Sequence, residues 1–462
     1  MTDDPGTVAD LIRTAAEAAI DYREGVAERP VGPPADRDAL LAAFGGPLPA
    51  DPTAPDRVLD DLIAAAEPGL VATAGPRFFG FVVGGSLPAA TAADMLAVGW
   101  DQLAFNAVSA PAASVAEEVA GGWLTGLLGL PATAGVGFGT GAQSANTVGL
   151  AAGRHRVLAR AGWDVARNGL IGAPRLRVIA SAERHATVDR SLRLLGLGSA
   201  SVAEVAAGPQ GAIDIDSLAA VLGADPGAPT ILVLQAGNVN TGACDDLRAA
   251  IGAARATANC WVHVDGAFGL WAAACPETRP LVDGIELADS WCTDAHKWLN
   301  VPYDCGLVLC ADAEAHLAAT SFTAAYLTGS GSAGATSDLV LESSRRARGF
   351  AVWAALRELG ASGVADLVRR TCALARRFAD GLAAGGVEIA NDVVLNQVLA
   401  GFGSDARTDA VIDGVQRDGT CWLGGTTWRG RRLMRISVSN WSTTEDDVDR
   451  SVAAILRVAA AA

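Results

Sequence analysis

Ser290-Trp291-Cys292-Thr293-Asp294-Ala295-His296-Lys297-Trp298-Leu299-Asn300 is the stretch on which the reading of this 462-residue chain turns. Its first four residues read as a β-strand, and Asp294, His296 and Lys297 follow directly at the strand's end. Lys297 is the one lysine among 35 basic residues, all others being arginine. A composition rich in alanine and glycine goes with arginine replacing exposed lysine, but one lysine kept at a strand end needs a separate reason. Guanidinium stays protonated, whereas an ammonium can lose its proton and attack a carbonyl. Boxed by Trp291, Trp298 and Leu299, Lys297 is expected to be partly desolvated and easier to deprotonate, as a Schiff-base lysine requires. The bland alternative is a surface lysine on a loop.

Working outward, four more short apolar runs alternate with longer helical ones between about Gly75 and Asp312: Leu176–Ala180, Thr230–Leu234, Cys260–Val264 and Gly306–Leu309. That alternation predicts an α/β fold, a mostly parallel sheet covered by helices. Ligands of such sheets sit beyond the carboxyl ends of the strands, so the residues just after each run are the candidates. After Cys260–Val264 comes Asp265, in His263-Val264-Asp265-Gly266-Ala267-Phe268-Gly269. A carboxylate there is costly unless it meets a cation, and the protonated pyridine nitrogen of pyridoxal phosphate is the cation that pairs with a lysine imine. A metal ligand or a helix N-cap is the alternative.

The third group is Gly137-Phe138-Gly139-Thr140-Gly141-Ala142-Gln143-Ser144-Ala145-Asn146, followed by a helical run to Arg160. Glycines ahead of a helix let backbone N–H groups approach a phosphate, and Gln143 and Ser144 add side-chain donors. The GxGxG spacing is wrong for a dinucleotide fingerprint, and a plain capped turn is the alternative. The fourth group, Glu183-Arg184-His185-Ala186-Thr187, offers an imidazole able to stack on a ring and relay a proton. His155 and His316 read as ordinary surface residues, and the role of His263 is left open.

Together these groups resemble the pyridoxal-phosphate-dependent group II decarboxylases, the family of aromatic amino acid and glutamate decarboxylases, on the fold-type I scaffold. The resemblance runs from about Pro76 to Asn440 and includes Pro76-Arg77-Phe78-Phe79-Gly80-Phe81, Ala236-Gly237-Asn238-Val239-Asn240-Thr241-Gly242-Ala243 and Arg345-Arg346-Ala347-Arg348. It implies a seven-stranded, mostly parallel sheet in a large domain with a smaller C-terminal α+β domain. It further implies that Lys297 binds the cofactor, Asp265 partners the ring nitrogen, and His185 stacks on the ring with Ala267 on the opposite face. Gly141, Ala142, Gln143 and Ser144 match the phosphate turn and His296 the phosphate-side histidine; Asn238 stands where the family usually has threonine. The expected reaction is decarboxylation of an L-amino acid, aromatic or bulky apolar, to amine and carbon dioxide. Phe79, Phe81, Trp100 and Phe105 are candidates for its side-chain pocket, or else core.

One departure concerns the proton donor. Family members generally carry a tyrosine in the loop after the sheet, but Gly329 to Glu342 has none, and Tyr326 just upstream is the nearby phenol. Tyr326 serves, or His185 delivers the proton, or the product differs. Aldehyde formation or transamination is therefore the alternative activity, and a non-catalytic binding module or a non-covalent nucleotide-binding enzyme the alternative class.

The remaining composition limits partners and setting. With 50% hydrophobic and 19% charged residues the chain can bury a large core, and 51 acidic against 35 basic residues give a net charge of −16, which disfavours nucleic acid. No secretory leader or membrane span of about 18 apolar residues is read, so a cytoplasmic setting is expected. Eight cysteines without CxxC or zinc-like spacing are expected as reduced, mostly buried thiols, with no metal site. The expected division is an N-terminal helical arm (1–75), a cofactor domain (76–320), and a mobile loop with a small domain (321–462). By analogy with the family, the arm and the loop are expected to reach a second copy in a homodimer.

Overall fold

The computed structural model describes residues 7–32, 35–322 and 335–462. Tyr326 and the Gly329–Gly334 tract lie outside the described residues. The arm comprises α1 (Val8–Gly25), α2 (Arg37–Phe44) and α3 (Pro55–Ala66), and α4 (Pro88–Gly99), β1 (Leu103–Ala104) and α5 (Pro111–Leu128) follow. Next come β2 (Gly135–Gly139), α6 (Ala142–Arg160), α7 (Val165–Asn168), β3 (Arg177–Ser181), α8 (Ala186–Leu194), β4 (Val202–Val205) and α9 (Ile215–Gly223). The chain continues with β5 (Thr230–Gln235), α10 (Leu247–Arg255), β6 (Cys260–Asp265), β7 (Ser290–Asp294), β8 (Gly306–Cys310) and α11 (Ala313–Thr320). The last part holds β9 (Arg345–Arg346), α12 (Gly349–Ala384), β10 (Glu388–Ile389), β11 (Gln397–Gly401), α13 (Asp405–Asp418), β12 (Gly424–Trp428), β13 (Arg431–Ser437) and α14 (Glu445–Ala461).

Seven strands form the large sheet in the order β2-β8-β7-β6-β5-β3-β4. Neighbours from β4 across to β7 are parallel, and β8 runs antiparallel between β7 and β2. β3, β5, β6, β7 and β8 are buried along their whole length, which is why they read as continuous apolar runs rather than alternating ones. β2 escaped the sequence reading because its Gly-Val-Gly-Phe-Gly looks like loop. Gly137 is required there by space: a Cβ would stand 2.3 Å from the Leu339 carbonyl oxygen and 2.9 Å from a Val308 methyl.

A four-stranded antiparallel sheet, β10-β11-β13-β12, makes the C-terminal unit, with Phe378, Met434, Ile436 and Ile455 in its core. The stretch Pro76–Phe79, placed by sequence at the start of the large domain, is tied to this unit instead. Phe79 N–H donates to the Trp422 carbonyl (2.7 Å), Ser437 N–H donates to the Phe79 carbonyl (2.9 Å), and Arg77 pairs with Asp447 at 3.2 Å. The helix expected over Arg345–Gly360 begins at Gly349, after β9. It passes a kink at Gly360 (φ 60°), the site expected to end it, and resumes to Ala384. All eight cysteines are free and seven are buried. Among the described residues no helix is long and apolar enough to cross a membrane.

Candidate active site

A cavity of about 260 Å³ opens at the carboxyl ends of β5, β6 and β7, where the N-terminus of α6 meets them. Strand direction alone brings Lys297, Asp265, Ala267, His296 and, from the β3–α8 turn, His185 to its walls. Gly141, Ala142 and Gln143 line it as well.

Lys297 Nζ lies 3.0 Å from Asp294 Oδ2. The tryptophans expected to box it face the core instead: Trp291 Nε1 donates to the Ile285 carbonyl and Trp298 Nε1 to Thr371 Oγ1. Asp294 Oδ1 accepts the Ala142 N–H at 2.6 Å, so this carboxylate is the resident anion at the first N–H of α6. The lysine turn is held from behind. Asn300, at φ 57°, accepts the N–H groups of Gly85 (2.6 Å) and Trp441 (3.0 Å) on its Oδ1, in a left-handed conformation that asparagine tolerates. Gly84 passes so close that a Cβ would meet the Lys297 carbonyl oxygen.

Asp265 is 5% exposed. It accepts hydrogen bonds from Asn146 Nδ2 (3.3 Å), Ala267 N–H (3.3 Å) and the Cys292 thiol (3.4 Å). Among the described residues it has no cationic partner. A buried carboxylate served only by neutral donors is an incomplete arrangement. Pyridoxal phosphate fits the incompleteness: its protonated ring nitrogen would supply the cation and its aldehyde a target for Lys297. Its phosphate would supply an anion for the first-turn N–H groups of Gln143 and Ser144, which have no partners within the helix.

His185 caps α8; its Nδ1 accepts Thr187 N–H (3.2 Å) and lies 2.8 Å from Thr187 Oγ1. Its pKa is lowered, chiefly by the protein packed around the ring, with the charges of Lys297 and Arg435 adding to this and Asp265 opposing. His296 Nδ1 accepts Cys305 N–H (3.0 Å), and its ring stacks on Tyr303 at 4.3 Å between centroids. Burial lowers its pKa also, against the pull of Asp294.

Several expected residues are engaged elsewhere. Gln143 Nε2 is tied to Ser191 Oγ (2.8 Å) on α8, and Ser144 is buried beside Gly139 and does not line the cavity. Asn238 does not line it either: its Oδ1 accepts Asn240 N–H (2.9 Å) within a turn and its Nδ2 donates to the Glu183 carbonyl. None of Phe79, Phe81, Trp100 and Phe105 is among the lining residues. Phe79 is core against Phe378, because its backbone is bonded into the C-terminal sheet on both sides; Phe81, 65% exposed, stacks on Trp422. Trp100, 56% exposed, meets Phe350 edge-on, and Phe105 uses its carbonyl to hold Ser337. His316, read as a surface residue, is fully buried with Nε2 on the Leu339 carbonyl.

Sequence reasoning missed Asn146, Cys292, Asp294 and Arg435. The first three stand inside quoted motifs and needed only helical or strand spacing to be placed. Arg435 on β13 carried no signal: it is largely buried, its pKa lowered by desolvation alone, it has no carboxylate partner among the described residues, and its Nη1 donates to the carbonyl of the lining residue Val239 (3.4 Å).

Two fully buried groups next to the site carry opposite pH signatures. Burial lowers the His263 pKa from 6.5 to about 4, so its contribution is present above pH 6.5 and is lost as pH falls, roughly 3 kcal/mol in all. Burial raises Asp245 from 3.8 to about 6, against the N–H groups of Gln235 and Ile213, so its contribution is lost as pH rises through 6. The slopes oppose each other between pH 4 and 6. Urea unfolding of Asp245→Asn is therefore expected to show stability falling more steeply with acid than in the unaltered chain; equal slopes would contradict the assignment.

The chain matches the model of the "Pyridoxal-dependent decarboxylase conserved domain" over residues 40–399. It is 28% identical to Tryptophan decarboxylase 1 of Oryza sativa subsp. japonica, covering 94% of this chain and 90% of that protein. It is 27% identical to the 4-hydroxyphenylacetaldehyde synthase of Rhodiola rosea, covering 79% and 75%. In three dimensions it is similar to the crystal structure of Oryza sativa TDC with PLP and tryptamine, with TM-score 0.90, 25% identity and coverage of 100% and 98%. Mouse CSAD shares the fold at TM-score 0.90 and 21% identity, covering 98% and 99%. With the family model spanning most of the chain and the cavity fitting the cofactor, this protein belongs to the pyridoxal-dependent decarboxylase family, as a pyridoxal-phosphate-dependent amino acid decarboxylase of fold-type I.

Proposed function

We propose that the chain decarboxylates an aromatic or bulky apolar L-amino acid to its amine and carbon dioxide. The observation that carries this reading is a single cavity holding both the chain's one lysine and a buried carboxylate with no cationic partner among the described residues. Val239, Ala267 and Phe268 give that cavity apolar wall for the substrate side chain, and named relatives include tryptophan and tyrosine decarboxylases.

Bound pyridoxal phosphate supplies an aldehyde for amine capture and a protonated ring that draws electrons from the breaking bond. The protein's part is then assigned to particular atoms. Lys297 Nζ is the amine that holds the cofactor, and Asp294 Oδ2, 3.0 Å away, takes up or returns its proton. Asp265 keeps its charge on the ring nitrogen. His185, with Nδ1 accepting from Thr187, carries its proton on Nε2, from which it delivers that proton to the carbon that has lost carbon dioxide. Arg435 steadies an anionic group of the substrate at the cavity edge.

Aldehyde synthases among the relatives favour a second reading, in which dioxygen and water are consumed and aldehyde, carbon dioxide, ammonia and hydrogen peroxide are released. Incubating holoenzyme with tryptophan, tyrosine, phenylalanine, leucine and glutamate, and measuring carbon dioxide, amine, aldehyde and peroxide, separates the two. Amine in equal amount to carbon dioxide is expected. Aldehyde with peroxide would move the assignment to the second reading, and turnover of glutamate alone would overturn the substrate class.

The working unit proposed is a homodimer. α1 and α2 bury no residue in the single chain and leave Ile12, Ile20, Leu41 and Phe44 exposed. Val98, Val119, Trp123 and Trp353 form further exposed apolar surface on α4, α5 and α12. Sedimentation is expected to give a dimer, and Val119→Arg with Trp353→Arg a species at least about tenfold weaker in self-association; a monomeric active enzyme would refute this.

A further inference from the structure

Behind Asp265 lies a row of buried polar side chains that the reaction does not touch. Trp261 Nε1 is 3.0 Å from Ser290 Oγ, and Ser290 Oγ is 2.8 Å from His263 Nδ1. His263 Nε2 is 2.8 Å from Asn146 Oδ1, and Asn146 Nδ2 is 3.3 Å from Asp265 Oδ2. His263, Asn146 and Ser290 are fully buried. α6 presses against the imidazole so tightly that a Cβ on Gly149 would stand 2.5 Å from Cε1 and 2.6 Å from Nδ1, so the ring has no second position.

The donors in this row can be assigned from the Asp265 end. A carboxylate accepts, so the Asn146 NH₂ faces Asp265 and its Oδ1 faces His263 Nε2, which carries the hydrogen of the neutral ring. His263 Nδ1 then accepts the serine hydrogen, and Ser290 Oγ accepts the indole N–H, which only donates. Running the chain the other way would turn the Asn146 oxygen toward Asp265 Oδ2 and require a proton on that carboxylate, and Ser290 Oγ would accept from both rings with its own hydrogen unused in the row.

We infer that Trp261, Ser290, His263 and Asn146 form a directional hydrogen-bond chain whose last donor, the Asn146 NH₂, orients Asp265, making His263 and Asn146 positioning residues for the carboxylate that meets the cofactor ring. This rests on the role given to Asp265 above. Asp265 is thereby held by oriented neutral donors: the Ala267 N–H joins the Asn146 amide, and the Cys292 sulfur lies within reach of both Asp265 Oδ1 (3.4 Å) and Asn146 Oδ1 (3.2 Å). Asp265 is the charged group near the imidazole; Ser290 and Cys292 on β7, Asn146 and Gly149 on α6 and Val233 on β5 bring none. Burial keeps the ring neutral, with a pKa of about 4.

The decisive measurement is ¹⁵N NMR of histidine-labelled chain without cofactor. His263 is expected as the neutral Nε2–H tautomer at pH 7 and still neutral at pH 5.5, and Ser290→Ala should mix the tautomers. An Nδ1–H tautomer or an imidazolium in the unaltered chain would overturn the inference. With cofactor, Asn146→Asp is expected to weaken pyridoxal phosphate binding by about tenfold or more and to shift the pH titration of the bound cofactor's absorbance. Unchanged affinity and titration would sink the chain while leaving the role of Asp265 standing. Failure of Asp265→Asn to alter either quantity would sink that role, and the tautomer result would still be readable by itself.

Discussion

Lys297→Ala is expected to lower turnover by roughly 10⁴-fold or more, and borohydride treatment of the cofactor-loaded protein should then leave no label on the peptide spanning 290–300. The magnitude follows from what is removed. No other lysine exists in the chain to replace the amine, and arginines stay protonated and cannot substitute as nucleophiles. Alanine also strands Asp294, a buried carboxylate whose cationic partner is Lys297, so some loss of stability accompanies it. Lys297→Arg separates the effects. It keeps a cation opposite Asp294 and should fold with a melting temperature near that of the unaltered chain, yet be as inactive as the alanine variant. An arginine variant retaining more than about a tenth of the activity would refute covalent capture at this residue.

Asp265→Asn is the second large effect, about 10³-fold in kcat together with weaker cofactor retention. Asparagine keeps the shape and can still accept from Asn146 or Ala267, so packing at the end of β6 is preserved. What goes is a buried carboxylate charge that has no cationic partner among the described residues. A ring nitrogen facing an amide loses its proton more easily and draws electrons less well. The loss should therefore fall on kcat more than on KM, since the substrate side chain is gripped by other walls. Comparable losses in both, with an unchanged cofactor spectrum, would mean that Asp265 serves only the fold.

How much was legible beforehand follows from where each residue sits. Lys297, Asp265, His185 and Ala267 lie just past strands of a parallel sheet, and in that architecture strand ends converge, so position along the chain was enough to bring them together. Gln143, Ser144 and Asn238 belong to readable turns, but a turn motif does not say which way a side chain faces: Gln143 and Asn238 are bonded within the protein and Ser144 is buried away from the cavity lining. The aromatic quartet failed as a pocket in the single chain for a related reason. An aromatic ring is equally at home in a core or a site, and the pairing of Phe79 with the C-terminal sheet decided for core.

The sequence alone pointed to the α/β class, five strands of the large sheet, the solitary lysine, the carboxylate ending β6 and the cofactor they imply. Local periodicity and residue chemistry are properties of short segments and survive without knowledge of distant neighbours. Only the tertiary structure decided that Asp294 stands on Lys297 and on the first N–H of α6, that Arg435 arrives at the cavity edge from the last strand, and that Trp261 reaches Asp265 through three intervening side chains. These contacts join residues up to about two hundred positions apart, and their distances are set by how the sheets and helices close on one another.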